Sequence, residues 1–447
     1  MKVIHLIGGG DTGGAKTHVL NLLRELNHHI DAEVICFRNG EFSQEAEAMG
    51  VPCHVIDTGN VLKGLQALKK HLSGVSVDII HCHGARGNLM GNLIKRWAKA
   101  PVVTTVHSDY RLDYMGRPAA RLTYGTINTV ALRHVNYYIG VADPMADLLI
   151  DRNFRADRIY TIYNGIDFAT PLETVPREEF LRSLGMEVAP GDVVAGIAAR
   201  LNPVKDYPTL LKALAIAVKE APQLKLVAAG DGEDREKLEQ LARDLGIADR
   251  VCFAGWVKDI NSFYHAIDIN LLTSLSETFP YALTEGARMK RATIASRVGG
   301  VPVLIDEDKN GFIFTPGDEQ ALARYLVPLA TDDSLRDNMG NALYEKASRE
   351  FSIDSMVRRQ LEIYQNILDR EARRRQHPKR DGVIICGAYG FGNAGDDAIL
   401  KAIMQSARQC DATIPVTVLA KNTESIKKRY RVHSIHTLRS EERRVGK

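Results

Sequence analysis

Apolar positions along the chain gather into short, nearly unbroken runs rich in β-branched residues, and between these runs they recur at helical spacing. The first series reads KVIHLIG, AEVICF, PCHVID, VDIIHCHG, PVVTTVHS, YYIGV and RIYTIYNG. Runs that are apolar on both faces suit parallel strands covered by helices on each side, so the alternation predicts a doubly wound α/β domain over residues 1–168. The polar stretch Pro171 to Pro190 breaks the rhythm, which restarts as VVAGIAAR, LKLVAAGDG, VCFAGW, DINLLTS, ATIASRVG and GFIFTPG. A second Rossmann-like domain is predicted over 169–351. From Ser352, SIDSMVRRQLEIYQNILDREARRR has the length and apolar spacing of one long helix, ending near 375. A charged connector, REARRRQHPKRD, leads to GVIICGAYGFGNAGDDAILKAIMQSAR, which reads as strand, glycine loop and helix. The 67 residues of 381–447 suffice for about one strand–helix–strand unit and are too few for a complete doubly wound domain.

Composition narrows this picture only slightly. The chain has 447 residues, 45% hydrophobic and 25% charged, with a net charge of +3, so nothing in the balance calls for nucleic acid as partner. The six cysteines (Cys36, Cys53, Cys82, Cys252, Cys386, Cys410) form no C-x-x-C and read as reduced core residues of a cytosolic protein. No apolar run approaches the roughly 20 residues of a membrane span, and Met1 leads straight into a strand, so neither an export signal nor an integral membrane segment is expected.

Ligands of parallel sheets collect at the carboxyl ends of the strands. The first such end is GGGDTGGAKTH, where Gly8, Gly10 and Gly13 spell G-x-G-x-x-G. An NADP-dependent oxidoreductase is therefore an alternative: Phe37-Arg38 offers no acid for an adenosine ribose, but Arg38 suits a 2′-phosphate. A Walker A loop is excluded because Ala15 separates Gly14 from Lys16. His81 and His83 share a strand face, yet no third ligand follows at matching spacing, so hydrogen-bonded strand-end histidines are expected and no metal. His107 stands at a strand end where a cleft would open, placed to donate to a sugar hydroxyl or an anionic leaving group. Arg111, Arg117, Arg121 and Arg133 suit an anionic acceptor or acidic lipid headgroups, with a solvated helix face as the plain alternative.

The later domain carries more. Arg200 ends one strand and Lys205 precedes a helix, two fixed cations suited to a diphosphate without a metal ion. Gly230 and Gly232 follow another strand, and Gly299 and Gly300 a third. In TSLSETFPYALTEGARMKRATIASRVGG, Glu277 and Glu285 bracket the start of a helix that Pro280 opens and Arg288, Lys290 and Arg291 close. Carboxylates accept from sugar hydroxyls, and a helix N-terminus attracts phosphate. A nucleotide-diphosphate sugar has both.

These residues, with Gly13, Gly14, His18, YNGID at 163–167, NGFIFTPGD and the E-x7-E pair, resemble the retaining GT-B glycosyltransferases of family four over nearly all of residues 1–370. The resemblance implies two Rossmann-like domains facing a cleft, the second binding the donor, the first the acceptor, and the long helix after 352 crossing back to the first. It implies that Arg200 and Lys205 grip the donor diphosphate, that Glu277 contacts the transferred sugar and Glu285 the ribose, and that Gly230, Gly232, Leu283 and Thr284 line the donor site. His107 would lie at the reaction centre, Gly13 and Gly14 against phosphates or acceptor, and His18, His83 and Arg111 on the acceptor side. The implied reaction is hexosyl transfer with retention, from a nucleotide-diphosphate sugar (a UDP-sugar by expectation) to a lipid-linked or glycan acceptor, with no metal or cofactor. Two departures alter the expected sugar pocket: Thr278 and Pro280 stand where the family often has glycine, and Val303 stands for a usual glutamate. The run from Ala388 to Asp397 resembles the opening of polysaccharide pyruvyl transferases, with Asp397 for the usual Glu. A truncated partial third α/β unit without pyruvyl transfer activity is expected. Both resemblances imply cell-envelope polysaccharide synthesis in the cytoplasm, with peripheral contact at the inner face of the plasma membrane. A non-catalytic sugar-nucleotide-binding module is the remaining alternative.

Overall fold

The structure is a computed structural model describing residues 1–10, 13–109, 125–376, 382–390 and 392–437. Seven strands, β1 (Lys2–Ile7), β2 (Asp31–Cys36), β3 (Cys53–Val55), β4 (Ile79–His83), β5 (Val102–Val106), β6 (Tyr137–Val141) and β7 (Ile159–Ile162), form the first sheet. Their order is β3-β2-β1-β4-β5-β6-β7, and every pairing is parallel. The second sheet contains β8 (Val193–Ala198), β9 (Leu224–Ala229), β10 (Val251–Gly255), β11 (Ile269–Leu272), β12 (Ala292–Ser296) and β13 (Phe312–Phe314). Its order is β10-β9-β8-β11-β12-β13, again parallel throughout. Strands β4, β5 and β6 are buried along their whole length, the burial expected of a sheet with helices on both faces.

Each sheet reverses its strand order once, between β1 and β4 in the first and between β8 and β11 in the second. Loops leaving the strands on either side of such a reversal run in opposite directions and leave a crevice. Topology alone thus selects the loops after β1, β4, β8 and β11 as places for ligands.

The chain divides into two compact units: Met1–Ile162 with Met356–Lys447, and Tyr163–Ser355. The helix Ile353–Gln376 begins in the later unit and contributes nearly all of its length to the earlier one, where its Tyr364 is fully buried.

The C-terminal segment is larger in content than its length suggested. Strands β14 (Val383–Tyr389), β15 (Val416–Ala420) and β16 (His433–His436) form a third parallel sheet, with helices Ala394–Cys410 and Thr423–Tyr430 between them. This is two crossovers instead of the single one expected, which fits because the last two strands and the second helix are short. Leu400, Met404, Val418, Ala420 and Ile426 give the segment its own small core.

One expectation needs correction. Cys36 and Cys82 are buried, but Cys386 and Cys410 are exposed, because the third sheet leaves much of β14 and of its following helix uncovered. Arg133 is exposed at the end of its helix, which agrees with the solvated-face alternative. Its guanidinium donates to the carbonyls of Arg152 and Asn153 and lies over the Phe154 ring, closing the end of a neighbouring helix. Arg111, Arg117 and Arg121 lie outside the described residues, as does the basic terminus from 438 to 447.

Candidate active site

In the later unit, Lys205 ends a short turn after β8 and Glu277 lies in the loop after β11, so the two loops flanking the reversal each supply one charge. They meet: Lys205 Nζ stands 2.5 Å from Glu277 Oε1, and Ser274 Oγ donates to the same oxygen at 2.6 Å. The pair is largely shielded, with side chains 23% and 14% exposed. Backbone contacts fix the two loops against each other. Thr273 Oγ1 donates to the Lys205 carbonyl at 2.7 Å, and the Leu275 N–H donates to the Val204 carbonyl at 2.8 Å. From the next strand, Ser296 Oγ donates to the Ser274 carbonyl at 2.6 Å, and the Gly300 N–H donates to the Thr278 carbonyl at 2.6 Å.

Arg200 is exposed and has no ion-pair partner among the described residues. Its backbone is tightly held: Ala199 N–H donates to Ala229, and Leu201 exchanges hydrogen bonds with the loop after β9 through Asp231 and Asp234. Here lies the role of two glycines. A Cβ at Gly230 would come 2.0 Å from the Ala199 carbonyl oxygen, and one at Gly232 would come 2.2 Å from that of Leu201. The close approach read from the sequence is made by the protein's own backbone, which seats the Arg200 loop.

Glu285 lies on the helix Tyr281–Arg288 that Pro280 opens. Protein encloses its carboxyl while some solvent still reaches it, and that desolvation raises its pKa. The Tyr264 hydroxyl faces it, and the Tyr281 ring is close enough for the carboxylate charge to act on it. Among the described residues neither phenol has a geometrically sound hydrogen-bond partner. A buried carboxyl beside two unsatisfied phenols is a set of polar groups suited to a polyol. Leu283 and Thr284 point into the core, with the Thr284 hydroxyl turned back to the Tyr281 carbonyl, so only their backbone is available to a ligand.

In the earlier unit, Gly13 precedes the helix Gly14–Leu26 with φ of 67°, and a Cβ there would meet nothing among the described residues within 4 Å. A Cβ at Gly9 would strike the Arg38 carbonyl oxygen at 2.5 Å, so that part of the glycine loop packs on the end of β2. His107 follows β5 and is half-buried. His18 and His83 are buried and both meet it: the His18 ring stands edge-on at 4.8 Å between centroids, and His83 Nδ1 lies 3.3 Å from His107 Nε2. Burial holds His107 and His83 well below the usual histidine pKa, neighbouring histidines adding to the effect, so both rings are neutral.

Three participants escaped the sequence reading. His5 sits opposite His81 in the β1–β4 register and bonds His83; Tyr364 bonds both His5 and His81; Tyr264 faces Glu285. A histidine inside the apolar run KVIHLIG was the available signal for His5, since an ionisable group seldom lies in a fully buried strand without a partner. Nothing local marks Tyr364 or Tyr264.

Comparison with known proteins agrees with this geometry. Residues 12–170 match the family described as Glycosyltransferase Family 4, and residues 187–346 match Glycosyl transferases group 1. The UDP-Gal:alpha-D-GlcNAc-diphosphoundecaprenol alpha-1,3-galactosyltransferase of Escherichia coli is 24% identical over 349 residues, 76% of this chain and 89% of that protein. A D-inositol 3-phosphate glycosyltransferase of Corynebacterium efficiens is 26% identical over 379 residues, 77% of this chain and 88% of that protein. Anabaena HepE, solved in complex with UDP-glucose, superposes with a TM-score of 0.69 at 23% identity, covering 83% of this chain and 100% of that one. The two larger sheets have the GT-B fold.

Proposed function

We propose that this chain, which carries a family 4 and a group 1 glycosyltransferase domain, transfers a hexose with retention of configuration from a UDP-sugar to a lipid-linked or glycan acceptor of the cell envelope. The observation that carries the reading is the Lys205–Glu277 pair at the strand reversal of the later sheet, 2.5 Å apart and largely shielded from solvent. A lone cation there would suit any anion. A cation and a carboxylate held together suit a ligand whose phosphate and sugar hydroxyls are neighbours, with Lys205 turning to the phosphate and Glu277 to the hydroxyls.

In the proposed reaction the acceptor hydroxyl attacks the anomeric carbon from the face the diphosphate leaves. The carbon–oxygen bond to the β-phosphate breaks with its electron pair going to that phosphate, which takes the acceptor's proton; nucleoside diphosphate and glycoside are the products. Lys205 and Arg200 stabilise the departing charge, and His107 hydrogen-bonds the reacting sugar or the leaving oxygen. Glu285 with Tyr264 and Tyr281 takes the ribose hydroxyls. These groups supply binding and charge stabilisation directly, so the proposal includes no metal and no cofactor. The E. coli relative, whose name gives UDP-Gal as donor and a diphosphoundecaprenol-linked sugar as acceptor, supports both substrate classes.

No helix among the described residues is long and apolar enough to cross a membrane. A lipid-linked acceptor must then be met at the surface, and the proposed place is the cytoplasmic face of an anionic membrane. Supporting this, Leu93 and Trp97 on the helix Gly84–Ala98 and Ile127 and Val130 on the helix Thr126–Arg133 are exposed, with Arg96 and Lys99 exposed beside them. The two helices are tied through Asn88–Asn128 and Asn92–Ala131 hydrogen bonds, so these apolar side chains belong to one surface of the unit. Apolar groups flanked by cations match an anionic lipid interface. The segment from 382 on is proposed to be related to polysaccharide pyruvyl transferases and to take no part in sugar transfer.

The test is a panel of UDP-, GDP- and ADP-sugars with extracted envelope lipids, reading nucleotide release and product configuration. Lys205→Ala is expected to lower kcat by about 10²–10³-fold, and Glu277→Ala to remove discrimination between donor sugars. Undiminished turnover in Lys205→Ala would refute the assignment, and reduction of a substrate by NADPH would establish the oxidoreductase alternative.

A further inference from the structure

Six side chains of the earlier unit form one unbroken line of hydrogen bonds ending at His107. Thr105 Oγ1 lies 2.7 Å from His81 Nε2; His81 Nδ1 lies 2.5 Å from the Tyr364 hydroxyl; that hydroxyl lies 3.1 Å from His5 Nε2. His5 Nδ1 then lies 3.0 Å from His83 Nε2, and His83 Nδ1 lies 3.3 Å from His107 Nε2. His5, His81 and Tyr364 are entirely buried, and His83 and Thr105 nearly so. These rings come from both sides of the first sheet's strand reversal, β1 and β4, and the tyrosine from the helix Ile353–Gln376.

A neutral imidazole has one N–H and one lone pair, on opposite nitrogens. His5, His81 and His83 each use both nitrogens within the line, so a donor on one side of a ring forces an acceptor on the other. The line must therefore run in a single direction from end to end, and fixing one end fixes every tautomer. The buried end supplies the choice. Among the described residues the Thr105 hydroxyl has no hydrogen-bond partner other than His81 Nε2. Were His81 to donate to it, the hydroxyl proton would be stranded without an acceptor. Thr105 thus donates to His81 Nε2, His81 Nδ1–H to Tyr364, the Tyr364 hydroxyl to His5 Nε2, His5 Nδ1–H to His83 Nε2, and His83 Nδ1–H to His107 Nε2. His107 is left with its proton on Nδ1.

We propose that Thr105, His81, Tyr364, His5 and His83 are positioning residues that lock His107 as the Nδ1–H tautomer, so that it meets the oxygen of its ligand as a hydrogen-bond donor and never as an acceptor. The consequence for catalysis rests on the function proposed above; the tautomer itself does not. His5, His81 and His83 also have ligand atoms within 4.8 Å of one another, a spacing a metal ion could draw together. All six of their ring nitrogens already bond within the line, and a cation would have to break it to enter.

The experiment is nitrogen-15 labelling of histidine in the full chain, with long-range proton–nitrogen correlation to read each tautomer at neutral pH. His5, His81, His83 and His107 are all expected as Nδ1–H, the minor form of a free histidine side chain. Tyr364→Phe removes the joint between His81 and His5, and the Nε2–H form is expected to gain population in His5, His83 and His107 together. Thr105→Ser keeps a hydroxyl and is expected to preserve all four tautomers. His107 found as Nε2–H in the native chain, or left unchanged in Tyr364→Phe while His5 shifts, would overturn the proposal, since a merely structural tyrosine would not reach His107. In turnover assays Tyr364→Phe is expected to lower kcat with the KM for donor unchanged. Absence of transfer from every nucleotide sugar would defeat the functional reading while leaving the tautomer assignment decided by the spectra.

Discussion

Glu285 is a side chain that costs the empty protein stability. Enclosure raises its pKa, and the phenols of Tyr264 and Tyr281 beside it are left without sound hydrogen bonds. For a carboxyl whose folded pKa is raised, the favourable state is the neutral one: that contribution is full at low pH and is lost as pH rises through the folded pKa. Above that folded pKa the chain carries an ionised carboxylate that water would solvate better. Glu285→Gln keeps the shape and removes the charge, and is expected to stabilise the unliganded protein by roughly 1 kcal/mol. On the proposed function the same change removes an acceptor for ribose hydroxyls, so any rise in Tm that UDP gives the native chain should largely vanish in the variant. Thermal unfolding with and without UDP measures both. A variant less stable than the native chain, with its UDP response intact, would mean that Glu285 is a packing residue. A group held at an energetic loss is better explained by a ligand than by the fold.

The loops at the strand ends owe their shape to each other. Gly299 has φ of 49°, and a Cβ there would lie 2.1 Å from the carbonyl oxygen of Glu277 and 2.7 Å from that of Thr278. Gly299→Ala must therefore push away the loop that carries Glu277. The expected outcome is a loss of about 1–3 kcal/mol in stability and of about 10²-fold in kcat through misplacement of a reacting group, read by denaturant unfolding and by nucleotide release. The strands themselves were legible because a parallel sheet covered on both faces demands unbroken apolar runs, and VDIIHCH, PVVTT and YYIGV are such runs. That Arg200, Lys205 and Glu277 stand in the loops after β8 and β11 was legible from the apolar runs that precede them. What the glycines do was not: VGG and GDG look alike whether a phosphate or a neighbouring carbonyl needs the space, and only the packing of Ala199, Leu201 and Glu277 against them decides. Nor could the pairing of His5 with His81 be read before the order of β1 and β4 was known. Tyr364 meets His81 across 283 positions of sequence.

At the scale of the molecule, two features of the earlier unit set its limits. The first is acid: burial pulls His5 down to about 3 and holds His81 and His83 well below the usual value. Their contribution is complete above the unfolded pKa of about 6.5 and is lost as pH falls toward the folded values, because only the unfolded chain takes up these protons. Three such groups imply a loss of about 4 kcal/mol per pH unit near pH 5, so unfolding should move steeply to lower denaturant between pH 6.5 and 5, and a flat profile would mean that the rings are charged in the fold. The second is the C-terminal segment, whose apolar side chains pack on one another, with Leu400, Met404, Val418 and Ile426 facing inward. Its side-chain ties to the rest of the unit include Arg431 with Asp147, Lys428 with Asp151 and Arg373 with Asp411. Those six side chains are all partly exposed, and pairs of that kind contribute about 0–1 kcal/mol each. The helix Ile353–Gln376, by contrast, buries Tyr364 against the histidines and so belongs to the core. A chain ending at Gln376 should accordingly fold, with Tm lowered by only a few degrees, the same response to UDP and the same rate of nucleotide release. A chain ending at Ser352 should not fold its first unit. Loss of folding in the longer truncation would show instead that the third sheet is part of the core of the first, and would remove the reason for treating residues 382–437 as a passenger in sugar transfer.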